Sequence, residues 1–178
     1  MIYLNEVELM NKTKKLTFIA LLVAEGLVLH IFEGMLPLPF VTPGARLGLT
    51  NIITVVSLYL LNFNEVLLVI ILRILLSTLL GGNLSTFLYS MTGGILSFLA
   101  MYVLKKFEEK GVSIIGISIV GAVFHNIGQI IVAGLIIENA MIVSYLPILL
   151  IASIGTGLFV GLTGNYLLPF LQRIKFKK

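Results

Sequence analysis

His125, Asn126 and Gln129 stand within five positions of one another inside a long apolar run, and Arg73 stands alone inside another. An imidazole and two amides offer paired donors and acceptors, the chemistry of recognising a polar ligand edge. In a bilayer such groups are costly unless they pair, face a cavity or bind something. Two readings stand side by side: an interhelical hydrogen-bond clamp worth about 1 kcal/mol per bond, or a ligand contact. His30 and His125 are two imidazoles, but no third ligand has helical metal-site spacing, so no metal is expected.

Arg73 carries a cation whose burial without a partner costs at least about 2.5 kcal/mol. It requires an acid, an anionic ligand or a wet cleft. Glu25 is the carboxylate that falls within an apolar run, and an Arg73–Glu25 pair is one reading. Arg46 opens the next apolar run, where it either anchors among headgroups or selects an anionic substrate. Asn51 adds an amide near the start of that same run, and Asn83 one at the start of a further run.

Catalytic patterns are missing. There is no G-x-x-x-x-G-K-[ST] to cradle nucleotide phosphates, no serine nucleophile elbow and no H-E-x-x-H. Prenyl-chain synthases hold a diphosphate through magnesium on clustered aspartates, because hard cations need oxygen ligands. This chain has no Asp, and its adjacent Glu108 and Glu109 lie in a basic loop. No catalytic residue, cofactor or enzymatic activity is expected of it.

The elements that position these groups are apolar helices. The chain is 58% hydrophobic and 11% charged, with mean hydropathy +1.11. Soluble domains carry about 25% charged residues, so this composition cannot cover a soluble surface. Cysteine is absent, which excludes disulfides and thiol chemistry. Six apolar segments emerge, at residues 16–32, 47–61, 66–80, 84–104, 112–137 and 146–168. A spanning helix needs about 20 residues; the second and third segments fall short and are joined by Asn62-Phe63-Asn64-Glu65. The first segment resembles a signal peptide, but Glu25 interrupts it and no small-residue cleavage site follows, so a retained helix is expected.

Ten of the twelve Lys and Arg residues form three clusters: Lys12, Lys14 and Lys15; Lys105, Lys106 and Lys110; Arg173, Lys175, Lys177 and Lys178. Cationic loops stay on the cytoplasmic side. The expectation is an all-α polytopic membrane protein with six transmembrane helices and both termini in the cytoplasm. Its parts are a cytoplasmic N-terminal segment (1–15), a transmembrane domain (16–170) and a basic cytoplasmic tail (171–178). The net charge of +4 reflects this topology, and no nucleic-acid partner is expected. Residues 33–46 form an outer connection rich in proline, read as a lid over a site.

Small residues at helical spacing mark packing faces. Ser153, Gly157, Gly161 and Asn165 recur every four residues in the last segment, and Thr86, Ser90, Gly93, Gly94 and Ser97 line the fourth. Ala20 and Ala24 share one face of the first helix, while Gly26, His30 and Glu33 cluster on the other.

Three stretches carry a resemblance: Pro43-Gly44-Ala45-Arg46-Leu47-Gly48-Leu49-Thr50-Asn51-Ile52; the Arg73 helix ending in Gly81-Gly82-Asn83; and Gly121-Ala122-Val123-Phe124-His125-Asn126-Ile127-Gly128-Gln129. They resemble the Gx transporter family, often named heptaprenyl diphosphate synthase component I. That family is related to the substrate-binding S components of energy-coupling factor vitamin transporters. The resemblance implies a six-helix bundle in a bacterial cytoplasmic membrane that captures a scarce small molecule at its outer face. Its implied partners are a transmembrane coupling protein and two cytoplasmic ATPases. In S components an Ala-x-x-x-Ala motif on the first helix contacts the coupling protein, and Ala20 and Ala24 match it. The implied substrate site draws on Arg46, Asn51, Arg73, Asn83, His125, Asn126 and Gln129. The alternative function is a noncatalytic membrane subunit of a polyprenyl diphosphate synthase.

Overall fold

The computed structural model describes residues 12–35, 48–138 and 140–175. Every regular element among them is helical: α1 (Lys12–Met35), α2 (Asn51–Leu60), α3 (Phe63–Leu79), α4 (Leu84–Lys105), α5 (Ile114–Ile137) and α6 (Leu146–Lys175). Single 3-10 turns at Glu108–Lys110 and Ala140–Tyr145 join the later helices. Among the described residues, four stretches are long and apolar enough to cross a membrane: α1, α4, α5 and the Met141–Arg173 stretch that holds most of α6. Rows of Leu, Ile, Val and Phe are exposed along these helices, as on a surface that meets lipid. The molecule is a helical membrane bundle.

Local chemistry sets the helix starts. The turn between α2 and α3 is extended at Leu61 and Asn62, and the Asn62 N–H donates to Glu65 Oε2 at 3.0 Å. The charged turn seen in sequence is thus a helix cap, which uses an otherwise orphaned donor. Asn83 and Ser113 cap α4 and α5 with the opposite bond, their side chains accepting from Thr86 N–H and Gly116 N–H.

The ten-residue α2 is the centre of the bundle. All of its side chains except Tyr59 are buried, and it touches each of the other five helices. A helix apolar all round must be enclosed; at about 1.5 Å per residue it is also only about 15 Å long.

Contacts along the seams give the helix directions. Lys15 pairs with Glu65 at one end of α1 and α3, and Gly26 meets Arg73 further along both, so these two helices run parallel. Lys105 at the end of α4 donates to Leu58 O at 2.6 Å, and its Nζ lies 4.6 Å from the centre of the Tyr59 ring. On α6, Gly157 packs on Ile119, Gly161 on Ile115 and Gly164 on Val55 and Ile114. The ends bearing Lys12 to Lys15, Lys105 to Lys110 and Arg173 therefore lie together. The Gly81–Gly82 turn and the start of α6 lie at the opposite end.

The small-residue stripes pack as their spacing suggests, with one change. A Cβ on Gly128 would sit 2.8 Å from Gly93 Cα, so α4 and α5 approach backbone to backbone. On α6 the stripe ends differently: Asn165 is exposed, and Gly164 makes the contact in its place.

Candidate functional site

Arg73 is buried in the second half of α3, 3% exposed. Its stem crosses α1 at Gly26, where an added Cβ would stand 2.5 Å from Arg73 Cδ and 3.1 Å from Cγ. Its Nη2 reaches toward α4, 3.8 Å from where a Cβ on Gly94 would lie. Two glycines thus open the channel in which the guanidinium lies.

The carboxylate that faces this cation is Glu33, not Glu25. α1 continues through Met35, so Glu33 belongs to the helix rather than to the connection after it, and it follows Gly26 by about two turns on the same buried face. Glu25 points away from the bundle, on the exposed side of α1. Opposite charges buried near each other offset part of the cost that either would carry alone.

Glu33 also ties down the start of α2. Its Oε1 accepts the Gly48 N–H at 2.6 Å. Gly48 has φ +88°, a conformation that side chains rarely adopt. It packs tightly on two other polar residues: a Cβ there would lie 3.0 Å from Asn51 Nδ2 and 3.2 Å from His125 Cδ2.

His125 accepts at Nε2 from the Gln129 amide, 2.8 Å away and one turn further along α5. An amide N–H can only donate, so the ring proton resides on Nδ1. That side of the ring faces the backbone of Gly93, where an added Cβ would lie 3.1 Å from Nδ1.

Asn51 completes the group. It is 1% exposed, and among the described residues neither its amide oxygen nor its amide nitrogen has a hydrogen-bond partner. Leaving a buried polar group unsatisfied costs about 1–3 kcal/mol. A cleft of about 180 Å³ lies along the same α1–α3 seam, beyond Arg73, lined by His30, Ile31, Ser77 and Leu80 with the Gly81–Gly82 turn and Thr86.

Four of the residues singled out in sequence therefore converge: Asn51, Arg73, His125 and Gln129. Two do not. Asn83 is exposed, and its side chain accepts from both the N–H and the hydroxyl of Thr86. Asn126 faces α6, donating to Leu149 O at 3.1 Å and Ser153 Oγ at 2.8 Å, which is the clamp reading realised for that residue. Arg46 and the proline-rich stretch 36–47 lie outside the described residues. Glu33 and Gly48 were missed as site residues. The signal for Glu33 was its helical spacing from Gly26 and His30. Gly48 had none, because its role arises from contacts between separate helices.

The sequence model described as heptaprenyl diphosphate synthase component I matches residues 22–167. The chain belongs to that family. The matched region of this component I family member takes in all of the polar cluster, from Glu33 to Gln129, and the Gly157–Gly161 packing face. No curated protein and no solved structure matches the chain.

Proposed function

We propose that this component I family protein is the membrane-embedded, noncatalytic substrate-binding component of an ATP-driven uptake transporter of the energy-coupling factor type. Its substrate is a vitamin-like or quinone- or isoprenoid-related small molecule. The observation that carries this reading is the unsatisfied Asn51 amide, held among Arg73, Glu33, His125 and Gln129 near the middle of the bundle, away from the basic clusters. A small-ligand site combines apolar walls with a few placed polar groups. In this reading the cationic ends lie on the cytoplasmic side, both termini are inside, and the substrate reaches the mid-depth polar cluster from the opposite side. Ala20 and Ala24 are exposed on α1, which supports that face as the one that meets a transmembrane coupling protein served by two ATPases.

The test is native mass spectrometry of the purified protein beside its Asn51→Leu variant. A small molecule carried by the wild type and absent from the variant supports the reading. An equal signal from both, or none from either, removes it.

A second reading, a noncatalytic membrane subunit of a heptaprenyl diphosphate synthase, is favoured by the family description. It predicts that a catalytic synthase chain remains bound through purification and that prenyl-transfer activity depends on this protein. A tether of that kind gains nothing from a buried, unsatisfied amide. Asn51→Leu therefore leaves that activity intact.

A further inference from the structure

Glu25 is the feature of α1 that neither the polar cluster nor the bundle core uses. It lies ten residues after Lys15 and ten before Met35 in α1. At about 1.5 Å per residue that is about 15 Å from either point, the middle of a hydrocarbon core about 30 Å thick. Its side chain is exposed, on the same outward half of the helix as Leu21, Val28 and Phe32. None of the described residues bonds to its carboxylate or forms an ion pair with it. A carboxylate turned toward lipid at mid-depth is among the least favourable placements a span can hold, and a glutamate is too short to reach either interface.

We propose that the outward face of α1 docks against a transmembrane helix of a different protein, and that this helix carries an arginine or lysine at mid-membrane depth to meet Glu25. The proposal rests on reading α1 as the partner face and adds the charge of that partner. Charge complementarity selects the occupant. A lipid headgroup cannot reach mid-depth. A second copy of this chain has no suitable cation: among the described residues, Arg73 is buried and faced by Glu33, and the other cations lie at the basic end of the bundle. Parallel or antiparallel, a copy brings those cations to an interface and not to Glu25. Ala24 lies about 100° and Ala20 about 140° around α1 from Glu25, with Leu21 between Glu25 and Ala24, so a helix seated over Leu21 borders both the alanines and the carboxylate.

The experiment places a photo-crosslinking residue at Leu21, one turn from Glu25, in the full chain in its native membrane. A second series places it at Ala20. Mass spectrometry then maps each adduct. The expected adduct from Leu21 lies on a helix of one other membrane protein, within a turn of a Lys or Arg. Its yield falls about tenfold or more in Glu25→Lys, because like charges then oppose each other. Changing the partner's cation to glutamate in that background restores the yield to within about twofold. None of the described residues bonds to Glu25, so the isolated Glu25→Lys and Glu25→Gln variants melt as the wild type does, which separates loss of docking from misfolding. A partner helix without a cation within a turn, or a yield unmoved by Glu25→Lys, overturns the ion pair while leaving the α1 docking face standing. Adducts to lipid or to a second copy alone, in both series, overturn the two together.

Discussion

Arg73 of α3 crosses α1 at Gly26, where a methyl group would stand 2.5 Å from its Cδ. The arginine stem passes along α1 into the neighbourhood of Glu33 because the residue it crosses has no side chain. Gly26→Val therefore forces the arginine out of its channel. The expected cost is about 1–3 kcal/mol of stability, as for other overpacked sites, together with loss of ligand binding. Thermal unfolding in detergent with and without the co-purified ligand measures both.

Glu33 and Arg73 compensate each other's charge in a buried setting. Glu33→Ala alone leaves an uncompensated cation and loses the Gly48 N–H bond; about 3–5 kcal/mol is expected. Glu33→Gln with Arg73→Met removes both charges and recovers most of that loss. A double-mutant cycle on unfolding free energies reads the coupling, and simple additivity of the single changes would remove the pair from the account.

Asn51 and Asn126 predict opposite outcomes although both are buried amides. Asn51→Leu removes two unsatisfied polar atoms and is expected to hold or raise apo stability by about 1 kcal/mol while abolishing binding. Asn126→Ala breaks two interhelical bonds and is expected to lower stability by about 1–2 kcal/mol with affinity nearly unchanged. Calorimetry and melting on both variants separate a binding amide from a clamping one.

Topology is checked with single cysteines, since the chain has none of its own. Asn83→Cys is expected to react with an impermeant reagent added outside. Lys12→Cys, Lys110→Cys and Arg173→Cys react only once the membrane is opened. The reverse pattern inverts the orientation.

Coupling is checked on the exposed face of α1. Ala20→Leu with Ala24→Leu adds bulk on a side of α1 that the described residues leave exposed, so binding and stability stay near wild type. Uptake into whole cells falls by about tenfold or more, because a partner helix loses its close approach. Unimpaired uptake by the double variant moves the partner surface elsewhere.

The sequence by itself determined the membrane character, the six apolar helices and the clustering of cations at one end. Hydropathy, chain length and loop charge are local quantities, and they survive without knowledge of neighbours. It also marked Asn51, Arg73, His125 and Gln129, because a polar group in an apolar run is conspicuous wherever it finally points. Only the tertiary structure decided which of two glutamates on α1 meets Arg73. Glu25 and Glu33 are eight residues apart and differ by about 80° around the helix, and packing against α3 turns one inward and the other out. The same cause separates His125 from Asn126: adjacent residues on a helix lie about 100° apart, so one joins the site and its neighbour clamps α6. Gly48 became legible only once Glu33, Asn51 and His125 closed around it, since a backbone N–H leaves no trace in a residue's name.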